Sequence, residues 1–151
     1  MTDYYVGYFD GLCEPENPKG NIGFGAFILN PERKRIFEVS KYVPAKELNY
    51  LTSNNVAEYM SIIAIFEYLI KNGLQKEKVI ICGDSKLVIN QMRGEWKCSG
   101  GVYEPYYRKA FEMRKEFTNI RFEWIPREQN SIADELSARE AIKAGCKFYK
   151  R

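Results

Sequence analysis

Apolar positions near the N-terminus come in short runs at the strand period. Tyr4, Val6 and Tyr8 alternate with Tyr5, Gly7 and Phe9, and residues 22–29 and 36–43 repeat aromatic and β-branched types between turn signals. The first connection, 11–20, carries two prolines and two glycines, and Asn30-Pro31 marks the next turn. Three antiparallel strands in a meander are predicted. From Asn55 the period lengthens: Ile62, Ile65, Phe66 and Leu69 recur at helical spacing until Asn72-Gly73 stops them. Residues 79–82 form a compact apolar run that suits a buried parallel strand. Helical spacing returns over 85–93, and a glycine-rich interruption fills 94–101. A further helix over 103–117, a last strand over 120–125 and a last helix over 131–144 follow. The order β-β-β-α-β-α-α-β-α predicts an α/β fold, one mixed sheet with helices on its faces, in a single domain over 1–151.

A chain of 151 residues, 45% hydrophobic and 28% charged, has enough apolar surface for one core without disulfides or a structural metal. The N-terminus shows no basic stretch followed by an apolar run. The longest apolar segment, 59–66, contains Ser61 and is flanked by Glu58 and Glu67, too short to span a bilayer. A cytoplasmic, soluble chain without a membrane partner is therefore expected. The four cysteines are far apart and form no CxxC pair, which argues against a zinc site or a disulfide framework.

The absence of histidine narrows the chemistry further. It removes the usual general base, serine and cysteine triads and histidine-ligated zinc, so any reaction rests on carboxylates, lysine, tyrosine or metal. A net charge of +3 permits a polyanionic partner without requiring one.

Four acids stand out against this background. Asp10 follows an uncharged run and is expected to close the first strand, although Asp-Gly also fits a turn. Asp84 ends the apolar run 79–82 after Gly83, and it also fits a helix cap. If the first and fourth strands are parallel neighbours, both acids lie at strand carboxyl ends beside a switch point, where α/β sheets place ligands. Two such acids repel unless a cation lies between them. Glu58 shares a helical stripe with Ile62, Ile65 and Leu69, which turns it toward the core; a capping box with Asn55 is the alternative. Asp134 has the same ambiguity after Ser131, and its stripe continues through the small residues Ala138 and Ala141. Hard oxygen ligands suit magnesium or manganese, and four carboxylates without histidine fit two-metal phosphodiester chemistry.

At these acids the sequence resembles ribonuclease HI, in particular the variants found in archaea and some bacteria. Four segments carry the resemblance over nearly the whole chain: Tyr8-Phe9-Asp10-Gly11, Thr52 to Glu58 in the pattern TxNNxxE, Asp84 to Val88 in the pattern DSxLV, and Pro126 to Asp134 in the pattern PRExNxxAD. The resemblance implies a five-stranded mixed sheet, three antiparallel strands plus two parallel, with helices on both faces. It implies that Asp10, Glu58, Asp84 and Asp134 hold two Mg2+ ions, or Mn2+ in their place, and that the RNA strand of an RNA/DNA hybrid is cut to 5′-phosphate and 3′-hydroxyl ends. It further implies 2′-hydroxyl contacts from Asn54, Asn55 and the backbone of Gly11, Leu12 and Cys13, a DNA-strand phosphate near Ser53, and DNA sugar against Trp96. Lys86 and Arg127 belong to the same expected substrate-binding set, and a monomer is expected.

Trp96 also fits a core position, and the two asparagines also fit helix capping. The segment before Asp134 departs from many bacterial members in lacking a histidine, and position alone points to Arg127 or Glu128 as its substitute. The long lysine-rich handle of some members is also missing, which leaves hybrid binding to scattered cations such as Arg93, Lys97, Arg108 and Lys109. Two other readings stay open: a non-catalytic hybrid- or RNA-binding module, and a related nuclease acting on double-stranded RNA or RNA-DNA junctions.

Overall fold

The computed structural model describes residues 2–146. Its elements are β1 Tyr5–Glu14, β2 Asn21–Leu29, β3 Arg35–Val43, α1 Asn54–Lys71, β4 Lys78–Gly83, α2 Lys86–Met92, α3 Glu104–Arg114, β5 Asn119–Trp124 and α4 Ser131–Lys143. Two short 3-10 turns, Ala45–Leu48 and Arg127–Gln129, were not anticipated from periodicity. The five strands form one sheet in the order β3-β2-β1-β4-β5. β1, β2 and β3 are antiparallel neighbours, while β4 runs parallel to β1 and β5 parallel to β4. The chain has the expected mixed architecture, and it places the switch between β1 and β4.

Side chains alternate across the sheet and both faces are covered. On one face Phe9, Ala26, Ile28, Val79 and Ile81 pack against the α1 stripe Ile62, Ile65, Phe66 and Leu69 and against Val88, Ile89 and Met92 of α2. On the other, Ala133 and Leu136 of α4 cover Phe27. Truncating any one of the α1 stripe residues to alanine costs about 2–5 kcal/mol. A polar knot joins α1 and α2 to Tyr103, the cap residue before α3: Tyr59 Oη donates to Gln91 Oε1 at 2.6 Å, and Gln91 Nε2 donates to Tyr103 Oη at 3.1 Å and to the Lys97 carbonyl at 3.3 Å. No helix among the described residues is long and apolar enough to cross a membrane.

Two local expectations are corrected. Asp10 does not close its strand, because β1 stays paired with β2 as far as Glu14 and Asn21; only its pairing with β4 stops earlier, at Tyr8 and Cys82. Asn55 does not cap α1. Ser53 does, its Oγ accepting from the Val56 N–H at 3.1 Å.

Candidate active site

Parallel pairing brings the strand acids together. Tyr8 pairs with Cys82 in the last rung between β1 and β4, so Asp10 and Asp84 each stand two residues beyond that rung. Beyond that rung the two strands are no longer paired. Glu58 arrives from α1 just past its first turn, on the stripe that carries Ile62, Ile65 and Leu69 into the core. Carboxylate oxygens of Asp10, Glu58 and Asp84 lie within 4.8 Å of one another. Asp10 is 2% and Glu58 4% exposed, whereas Asp84 is half-buried.

Glycines set how closely the helices approach. A Cβ on Gly11 would lie 2.5 Å from the Glu58 amide nitrogen and 2.6 Å from the Ala57 carbonyl carbon, so the first turn of α1 rests directly on the β1 backbone. Gly83 lies under the Phe9 ring, which leaves no space for a side chain there. On the opposite face, Gly23 and Gly25 receive the backbone of Leu136 and Ser137 in α4. The small residues that let α4 close on the sheet are these glycines, Ser137 and buried Ala141, while Ala138 is only half-buried.

Asp134 sits in the first turn of α4, half-buried, outside the group of three. The entry of α4 is anchored beside Asp10, since Asn130 Nδ2 donates to the Phe9 carbonyl at 3.0 Å. Neither helix start uses the acid as a cap. Ser85 caps α2 by accepting from the Val88 N–H at 3.2 Å, and Asn130 occupies the cap position of α4 without a side-chain capping bond.

The acids open into a cleft of about 520 Å³ lined by Gly11, Leu12, Cys13, Asn54 and Arg127 from the expected set. Glu14, Pro15, Asn17, Ser85 and Trp124 complete the wall and were not anticipated. Asn17 reaches it from the 15–20 loop, donating through Nδ2 to Asn54 Oδ1 at 2.9 Å and accepting through Oδ1 from the Asn54 N–H at 3.1 Å. Thr52 holds that loop down by donating to the Gly20 carbonyl at 2.6 Å. Ser53 is buried under its capping role, and Asn55 and Glu128 lie outside the lining. Trp96 is 48% exposed, which excludes a core role, and it also lies outside the cleft. Lys86, the first residue of α2, places its Nζ 4.9 Å from the centre of the Trp124 ring.

Three carboxylates with clustered oxygens, two of them withdrawn from solvent, make a donor set that fits a hard divalent cation such as Mg2+ or Mn2+. No cysteine of the described residues belongs to that group. Burial pushes the Cys82 thiol up to about 12 and raises the Cys13 thiol, so both stay protonated near neutral pH.

Comparison with known proteins places this geometry. The reverse transcriptase-like family matches residues 8–140. LC11-RNase H1, isolated from compost by a metagenomic approach and solved in complex with an RNA/DNA hybrid, is 32% identical with a TM-score of 0.81, over 94% of this chain and 99% of that one. The chain belongs to the type 1 ribonuclease H family. RNase H1 of the halophilic archaeon Halobacterium salinarum, another type 1 ribonuclease H, matches at 25% identity and a TM-score of 0.78 over 93% of this chain and 98% of that one. The bifunctional protein Rv2228c of Mycobacterium tuberculosis is 34% identical over 128 residues, which is 85% of this chain and 33% of that protein. The chain thus spans about a third of the length of that relative.

Proposed function

We propose that the protein is a metal-dependent endoribonuclease that hydrolyses the RNA strand of RNA/DNA hybrids and leaves 5′-phosphate and 3′-hydroxyl ends. The observation that carries this reading is the convergence of Asp10, Glu58 and Asp84 within 4.8 Å at the floor of an open cleft, in a chain whose family relative LC11-RNase H1 binds an RNA/DNA hybrid. Asp10, Glu58 and Asp84 would hold divalent metal, with Asp134 as the fourth ligand from the edge of the site. Two bound Mg2+ ions, or Mn2+, would supply positive charge at the scissile phosphate and lower the pKa of water.

The protein's own groups give the cleft its selectivity. Asn54, fixed by Asn17, and the backbone of Gly11, Leu12 and Cys13 line the wall where 2′-hydroxyls distinguish RNA from DNA. Lys86 and Arg127 provide cations for phosphates flanking the cut, and Arg127 takes the place of the missing histidine. Ser53, Asn55 and Trp96 lie outside the cleft lining, so any contact they make with the hybrid would be made beyond it. Trp96, exposed after α2, would meet DNA sugar.

The test is cleavage of an end-labelled RNA/DNA hybrid with Mg2+ or Mn2+, with double-stranded DNA, double-stranded RNA and single-stranded RNA as controls. Metal-dependent cutting of the hybrid's RNA strand, abolished in Asp10→Asn, is expected. Binding without cutting under either metal would make the protein a hybrid-binding module, and preferential cutting of double-stranded RNA or of a junction would make it a nuclease of different specificity.

A further inference from the structure

Trp124, in the cleft wall, has no part in that assignment. Trp124 is the last residue of β5 and lies on the same face of the strand as Phe122, yet Phe122 is 3% exposed and Trp124 42%. A core-filling tryptophan would be covered. Its ring instead lies in the wall of the acid-floored cleft, and its Nε1–H donates to the Asp84 backbone carbonyl at 3.1 Å.

That carbonyl occupies a particular place in the fold. The β4–β5 pairing ends at Gly83 and Trp124, with a last bond from the Ile125 N–H to the Gly83 carbonyl at 2.9 Å. On its other side, β4 leaves β1 after Cys82. Asp84 therefore lies past the last rung of both ladders, in the turn that carries the chain from β4 into α2. Below it Gly83 is pinned by the Phe9 ring, and beyond it Ser85 is held by its cap to Val88. The peptide between them fixes where the Asp84 carboxylate points. The Trp124 indole, with only two side-chain torsions, is a stiff donor to that peptide.

We propose that Trp124 is a positioning residue for Asp84, a role that rests on the nuclease reading of the cleft. Lys86, with its ammonium against the Trp124 ring but outside the cleft lining, supplies a contrast, because it reaches toward solvent and acts through charge rather than through Asp84. The two residues therefore separate in function. Trp124 governs how well the acids bind metal, and Lys86 governs how well the surface binds nucleic acid.

The experiment compares wild type, Trp124→Phe, which keeps a ring and removes the donor, and Lys86→Met, which keeps the stem and removes the charge. Mn2+ binding is measured by titration calorimetry without nucleic acid, alongside kcat, KM and thermal melting. Trp124→Phe is expected to weaken Mn2+ binding about tenfold, the scale for partners that orient metal ligands, and to lower kcat with KM for hybrid within about twofold. Lys86→Met is expected to raise KM and leave Mn2+ affinity unchanged. The chain has two tryptophans, so in Trp96→Phe the remaining indole reports on Trp124 alone. Its fluorescence should respond to Mn2+ at the concentration given by calorimetry.

Wild-type Mn2+ affinity and kcat in Trp124→Phe would overturn the assignment, as would a loss that merely follows a lower melting temperature. A rise in KM alone in both variants would also overturn it, by making Trp124 a contact surface only. If wild type cuts hybrid and Trp124→Phe is indifferent, this inference alone falls. If wild type neither binds Mn2+ nor cuts, the nuclease reading falls and takes this one with it.

Discussion

Gly11→Ala tests whether the contact between α1 and β1 sets the geometry of the acids. The new Cβ would lie 2.5 Å from the Glu58 amide nitrogen and 2.7 Å from the Ala57 Cβ, where ordinary contacts begin at 3.4 Å. The shortfall is about 0.9 Å. None of the obstructing atoms is the tip of a flexible side chain; they belong to a helix turn capped by Ser53 and buried at Val56, Ala57 and Glu58. The helix start must therefore move, at a cost of roughly 1–3 kcal/mol for overpacking. For a chain of this size each kcal/mol lowers the melting temperature by about 2–4 °C, so a fall of roughly 2–12 °C is expected. Glu58 moves with the turn, and a misplacement of about 1 Å is the scale at which a reaction loses roughly 100-fold. Single-turnover cleavage of the hybrid should slow by that order. Gly73→Ala supplies the control: its φ of +70° penalises a side chain, but nothing lies within 4 Å, so it should lose about 1 kcal/mol of stability with cleavage unchanged. A Gly11→Ala protein with wild-type melting and cleavage rates would refute the reasoning.

Three further expectations concern the scaffold. Tyr59→Phe removes the donor to buried Gln91 Oε1 and should cost about 1–3 kcal/mol by denaturant unfolding. Cys82 and Cys13, whose thiols burial raises, should resist a thiol reagent at pH 8 in the folded protein and react after denaturation, while half-buried Cys98 and Cys146 react first. Hydrogen bonds from Arg35 and Arg139 lower the pKa of the Glu38 carboxyl, so its contribution is present above the unfolded carboxylate range and lost as pH falls through the folded value. Because Glu38 is well exposed, Glu38→Gln should cost at most about 1 kcal/mol at neutral pH and converge with wild type in acid melts.

The strand and helix order was legible because each element changes the apolar period, and because α1 and β4 carry uninterrupted apolar patterns. Strand ends were less legible. Nothing in Gly11-Leu12-Cys13-Glu14 separates a loop from a strand, and pairing with Asn21, Ile22, Gly23 and Phe24 decides it. Cap positions were ambiguous for a similar reason. Serine and asparagine stand side by side at Ser53-Asn54-Asn55, and only the hydrogen bond to Val56 shows which residue ends outside the helix.

The acids and the rest of the cleft differ in how the chain encodes them. Asp10, Glu58 and Asp84 were conspicuous because each breaks a local apolar rule: a charge in or just past a buried strand, or on the buried stripe of a helix. Such a breach destabilises unless a ligand or partner offsets it, so it carries functional information wherever it occurs. Asn17 and Trp124 break no rule. An asparagine before proline in a loop and a tryptophan at a strand end are both ordinary, and their place in the cleft comes from contacts with Asn54 and Asp84 that are distant in sequence. The glycines lie between these cases. Gly11, Gly23 and Gly25 read as turn or strand-weakening residues, yet each marks where a helix backbone rests on the sheet. Substituting the acids therefore tests the chemistry, and substituting these glycines tests whether the scaffold alone holds that chemistry in register.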